Sequence, residues 1–172
     1  GTINVYGGAT WNNNNGSATG GWSSNQDVVL GSATDNSSGI LTDTTGLTIG
    51  GLSTAGTGTA YIVNGGGTLV VTNDDSNVVA TNDMFNGRIV ATGGTINLVK
   101  AGSLNLTLSG VNTYTGSTTV QNGTLDFTGD SHAIGAAVNI QGGTFQVGTG
   151  GSINAASVIT FGSVANSGAF LL

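Results

Sequence analysis

The sequence predicts an all-β solenoid, short strands wound into roughly seven stacked coils that form one domain over residues 1–172. Three observations predict it. Glycine supplies 32 residues, well above the ordinary share of about 7%. Apolar residues, 37% of the chain, come in short alternating clusters without a sustained helical period. A Gly-Thr-(Leu/Ile/Phe) triplet recurs at Gly1, Gly67, Gly94, Gly123 and Gly143. Richness in Gly, Ser, Thr and Asn also marks disordered chains, but those combine low hydrophobicity with high charge. Only 6% of these residues are charged.

The elements follow in order. Residues 1–30, with Trp11 and Trp22 flanking an amide-rich loop, read as an N-terminal cap or first coil. The triplet threonines 68, 95, 124 and 144 lie 27, 29 and 20 residues apart, the length a coil of two or three short strands needs. Each triplet is followed by alternating apolar residues: Leu69 and Val71, Ile96 and Leu98, Leu125 and Phe127, Phe145 and Val147. Period-two alternation puts each pair on one strand face, and the preceding glycine marks a turn. Further strands fit 60–64, 77–81, 88–92, 104–108, 118–122, 137–140 and 157–161. Coils stacked about 4.8 Å apart would make a rod of roughly 35 Å, with Thr and Asn ladders outside and aliphatic ladders inside.

Charge narrows the partners. All eight acids are Asp, the bases are Arg88 and Lys100, and the net charge is -6. With no basic cluster there is no footprint for nucleic acid or anionic lipid. The absence of cysteine rules out disulfides and thiolate metal sites. No stretch approaches the roughly 18 apolar residues of a membrane helix, so no direct membrane insertion is expected. The opening "GTINVYGG" is no signal peptide, which would make a secreted form an internal piece of a longer precursor. The closing "SVANSGAFLL" leaves Phe170, Leu171 and Leu172 without a following rung, the expectation being an apolar end that a neighbour covers or that stacks.

Candidate sites are few. Asp74, Asp75, Asp83 and Arg88 are the nearest approach to the clustered carboxylates and basic residue of a polysaccharide-cleaving enzyme. Asp-rich turns flanked by Asn are also what strand connections look like. A weak calcium site at Asp74 and Asp75 is a separate reading, although the calcium-binding pattern Gly-Gly-x-Gly-x-Asp is absent from residues 148–156. Asp130, Ser131 and His132 sit too close together to converge as a triad, and no catalytic residue, metal site or cofactor is expected. Trp11 and Trp22 suit either glycan contact or closure of the first coil's apolar end, and closure is the preferred reading. Tyr114 is expected to pack at a turn. Isolated Thr-x-Thr triplets at 57–59 and 113–115 do not make the regular array that ice binding needs.

One stretch carries more. "LVKAGSLNLTLSGVNTYTGSTTVQNGTLDF", residues 98–127, resembles the autotransporter-associated β-strand repeat of Gram-negative type V passenger domains. The residues that carry the likeness include Leu98, Lys100, Gly102, Leu106, Leu108, Ser109, Gly110, Asn112, Thr113, Tyr114 and Gly116. Thr115, Thr118, Thr119, Val120, Gly123, Thr124 and Leu125 complete it, while Leu104 stands where the family has a second glycine. The resemblance implies a right-handed parallel β-helix, exported through the outer membrane beside a C-terminal translocator barrel and displayed on the cell surface or released. The expected function is a non-catalytic structural stem that supports adhesion, through self-association or through host or matrix glycans. The alternative is a carbohydrate-binding or polysaccharide-cleaving β-helix.

Overall fold

The structure, a computed structural model, describes residues 2–13, 26–43, 46–64, 66–73, 82–131, 137–162 and 168–172. A part-turn carries β1 (Thr2–Val5) and β2 (Ala9–Asn13). Six turns follow. The first has β3 (Asp27–Leu30), β4 (Gly39–Asp43) and β5 (Leu47–Ile49), and the next has β6 (Leu52–Thr54), β7 (Ala60–Asn64) and β8 (Gly67–Val71). Then come β9 (Asp83–Phe85), β10 (Arg88–Ala91) and β11 (Ile96–Lys100), followed by β12 (Asn105–Leu108) and β13 (Thr118–Val120) with extended chain between them. The last two turns hold β14 (Thr124–Phe127), β15 (Asp130–Ser131) and β16 (Ala137–Ile140), then β17 (Thr144–Val147), β18 (Ser152–Ile153) and β19 (Val158–Phe161). A final strand, β20 (Ala169–Leu171), opens one more part-turn. Six turns with a part-turn at either end stand close to the seven coils expected.

Every described strand pair is parallel, and the strands stack into three faces. Face A holds β1-β3-β6 and β9-β12-β14-β17-β20; face B holds β2-β4-β7-β10 and β15-β18; face C is the unbroken β5-β8-β11-β13-β16-β19. On face C the register partners are Leu47, Leu69, Leu98, Thr118, Val138 and Ile159, so successive turns take 22, 29, 20, 20 and 21 residues. The minimal turn is therefore about 20 residues, and longer ones carry insertions at corners.

Alternation fixes which side chains enter the core. Leu106, Leu125 and Phe145 form one ladder on face A, and Leu108 and Phe127 form a second. All five are fully buried. Phe127 and Phe145 have ring centroids 5.4 Å apart, and Phe145 stacks on Phe170 at 5.8 Å. Parallel pairing makes such ladders unavoidable, because each turn sets the same inward position directly over the last.

The triplets do not share one face. Gly67 and Gly94 open face C strands two residues out of step, since Gly67 pairs with Ile96. Gly123 and Gly143 precede face A strands in true register, with Thr124 opposite Thr144. Only the 124-to-144 spacing measures one whole turn.

Where faces A and B are interrupted, side chains replace the ladder. Between β6 and β9, Asp83 Oδ2 accepts the Leu52 N–H at 2.6 Å and Thr54 Oγ1 accepts the Asn86 N–H at 3.1 Å. The outward polar residues mostly bond across turns to backbone rather than to their own kind. Asn36 Oδ1 accepts from Thr57 N, Ser38 Oγ from Thr59 N, Asn82 Oδ1 from Asn105 N and Asn97 Oδ1 from Ser117 N. These corner N–H groups have no strand partner, so the amide or hydroxyl one turn away completes them.

Candidate functional site: the buried polar groups of residues 98–127

Lys100 stands at an inward position of face C, in register between Val71 and Val120, and is fully buried. Its methylene stem lies where its neighbours have Val. Its Nζ turns into the corner between faces C and A, donating to the carbonyl oxygens of Ala101, of Gly102 at 2.9 Å and of Asn122 at 3.4 Å. Asn122 belongs to the next turn, so the amine ties two stacked corners together. A buried cation is tolerable only with such partners.

Three more polar residues are fully or nearly fully enclosed in this repeat. Asn112 replaces a strand on face B: its Oδ1 accepts the Ile89 N–H at 3.1 Å, and its Nδ2 donates to Gly110 O at 2.9 Å. Tyr114 is fully buried, with its hydroxyl 2.6 Å from Thr118 Oγ1. Thr118 itself occupies the inward ladder position between Leu98 and Val138. Burial pushes the Tyr114 phenol well above its ordinary range, and the Thr118 hydrogen bond offsets this only in part.

The glycines serve close approach. A Cβ at Gly102, whose φ is +63°, would fall on the Thr72 carbonyl oxygen. Cβ atoms at Gly110 and Gly116 would strike the carbonyls of Gly87 and Ile96, and one at Gly123, with φ +64°, the carbonyl of Leu104. Each clash is with the preceding turn, so these glycines set how tightly turns stack. Leu104 stands at this same corner, its N–H donating to Asn73 O at 3.3 Å.

The other sequence candidates fall elsewhere. Trp22, Asp74, Asp75 and His132 lie outside the described residues. Trp11 lies on β2 in register with Leu41, and that column continues through Ile62 to Ile89, all three buried. Asp83 and Arg88 stand on different faces, and the Asp83 carboxylate is engaged by Leu52 N–H. Asp130 Oδ1 accepts from Ser152 Oγ at 2.6 Å, an inter-turn bond. Among the described residues no group of three His, Cys, Asp or Glu gathers as a metal site, and no helix is long and apolar enough to cross a membrane. Sequence reasoning passed over a groove beside Tyr6; its only sequence signal is an aromatic before the glycine pair Gly7–Gly8.

Neither the curated proteins nor the solved structures gave a match to the chain. A family model does match, described as Passenger-associated-transport-repeat, over residues 98–127. In these residues Lys100 and Asn112 hold one turn to the next, while Tyr114 and Thr118 bond within a turn. Residues 98–127 therefore match the passenger-associated transport repeat, and the β-solenoid in which they are set fits an autotransporter passenger stem.

Proposed function

We propose that this chain is a non-catalytic stem segment of an autotransporter passenger, held at the bacterial surface and able to self-associate side by side. The observation that carries the stem reading is the fate of the repeat's polar groups. Lys100, Asn112, Tyr114 and Thr118 are all buried and bonded within the solenoid, so these polar groups of the motif serve to build the rod. A C-terminal translocator barrel in the full precursor and export to the cell surface follow from the same reading.

Face C supports self-association. Its outward column runs Thr48, Val70, Val99, Thr119, Asn139 and Thr160, in register over six strands and without one charged side chain. Two such faces approach without charge repulsion, while Thr and Asn offer hydrogen bonds across the gap and valine offers apolar contact. Sedimentation velocity over a wide concentration range tests this. The expected result is reversible dimerisation of an elongated particle, weakened at least tenfold by Val99→Lys or Thr119→Lys because like charges then oppose across the interface. A concentration-independent monomer would refute self-association and leave the stem alone. For the non-catalytic part, the expected result is no release of reducing or unsaturated sugar from polyuronates, with or without calcium.

A further inference from the structure

The corner between faces A and B is not uniform. It needs only two residues, Asn86–Gly87 and Thr128–Gly129, where the turns are minimal. Near the N-terminus it expands to residues 31–38 between β3 and β4 and to 55–59 between β6 and β7. Insertions into a solenoid turn cost little stability and collect on the face that binds. Here they frame a cavity of about 330 Å³, at the small end of ligand pockets. Gly31 and Ala55 form its floor, and Asn4, Tyr6, Ser32 and Thr34 supply the functional groups.

Tyr6 is 54% exposed, although an aromatic of this size is ordinarily covered. The loop beside it is fixed by its own bonds. Ser37 Oγ accepts the Gly7 N–H at 2.6 Å, Ser38 O accepts the Gly8 N–H at 2.9 Å, and Asn36 takes φ +53° with its Oδ1 on Thr57 N. Ser32 Oγ and Thr34 Oγ1 lie 3.0 Å apart, and Ser32 Oγ also accepts the Thr34 N–H. At the rim, Ser37 and then Ser32 hold the Asp35 carboxyl below the ordinary carboxylate range. Asp35 is best served when Ser32 donates to it and Thr34 donates to Ser32. Ser32 Oγ is then fully used, and the Thr34 Oγ1 lone pairs and the Asn4 amide are what face the groove, an arrangement that suits a ligand rich in O–H donors.

We propose that this corner groove binds a neutral carbohydrate, one pyranose ring stacking on Tyr6 while its hydroxyls bond Asn4 and Thr34. A pyranose has an apolar face of C–H groups and a rim of hydroxyls, which is the complement of an exposed aromatic edged by amides and hydroxyls. The Asp35 charge and the net charge of -6 act against sialylated or uronic sugars. Affinity for one ring is on the order of millimolar, raised by display of many copies on one surface. This site is separate from face C and does not rest on self-association.

The test is saturation-transfer difference NMR of the whole chain with maltotriose, cellotriose, lactose and N,N′-diacetylchitobiose, and with sialyllactose as the anionic probe. The expected result is transfer to at least one neutral sugar. Tyr6→Ala weakens that binding at least tenfold, Tyr6→Trp retains it, and sialyllactose binds at least tenfold more weakly than lactose. Circular dichroism and the melting temperature should stay unchanged in Tyr6→Ala, since the ring is half out in solvent. Thr34→Val, at an exposed position, supplies a second variant with the same expected loss. Absence of transfer to every neutral sugar, or transfer that survives both Tyr6→Ala and Thr34→Val, overturns the proposal.

Discussion

Burying the Tyr114 hydroxyl costs free energy unless a partner is buried with it, and Thr118 is that partner at 2.6 Å. Removing one side of such a pair is worse than removing both. Thr118→Val leaves the phenol unsatisfied and should destabilise by about 1–3 kcal/mol. Tyr114→Phe combined with Thr118→Val should recover most of that loss in urea melts, a coupling read from the double-mutant cycle. The same burial sets a pH dependence. The folded phenol titrates well above the value of about 10 it has when unfolded, so the folded state keeps a proton that the unfolded state loses. Stability is then intact below pH 10 and falls above it, by at most about 1.4 kcal/mol per pH unit, and Tyr114→Phe should remove that slope. Lys100 obeys the same logic of enclosed polar groups. Lys100→Met keeps the stem but strips the carbonyls of Ala101, Gly102 and Asn122 of their donor, at a cost of roughly 2–4 kcal/mol, read as a lower urea midpoint with the m-value unchanged.

Single strands and corners show what the sequence could and could not carry. The strands at 60–64 and 137–140 were legible to the residue, because alternating apolar positions there end at Asn, Gly or Gln. The triplet was misleading as a ruler: Gly-Thr before an apolar residue marks the entry to a strand on face C at 67 and 94 but on face A at 123 and 143. Nor could alternation announce that Lys100 and Thr118 point inward, since their partners are carbonyls and a hydroxyl that only the stacked turns bring near. The groove at Tyr6 was hidden for a related reason, as it depends on how far the 31–38 corner expands over its neighbours. Glycines at corners divide in the same way. Gly93 has φ +82° with open space around it, whereas Gly102 has φ +63° and the Thr72 carbonyl where a Cβ would go. Gly93→Ala should therefore cost about 1 kcal/mol from backbone strain alone. Gly102→Ala should cost more than about 3 kcal/mol, because strain is joined by a clash that separates two turns. Urea melts of the two variants side by side would show whether turn spacing, and not only conformation, selects glycine.

At the scale of the whole rod, each turn touches only the turns before and after it, and stability becomes a sum of turns and their interfaces. The register makes this testable by deletion. Thr124 pairs with Thr144, so excising residues 124–143 joins Gly123 to Thr144 and removes one complete minimal turn. Afterwards β12 meets β17 with Leu106 opposite Phe145, and β13 meets β19 with Thr118 opposite Ile159, all inward positions staying inward. The Lys100 contact to Asn122 and the Tyr114 bond to Thr118 lie outside the excised residues and survive. The shortened chain should fold cooperatively, with an m-value lower by about a tenth in proportion to the surface lost. Excising only residues 124–133 removes half a turn, β14 and β15 with it, and draws the face C strand β16 toward the place of a face A strand. That variant should show no cooperative transition, although it keeps more of the sequence. A half-turn deletion as stable as the full-turn one would mean that inward ladders do not hold the stack in register, and the solenoid account of stability would fail with them.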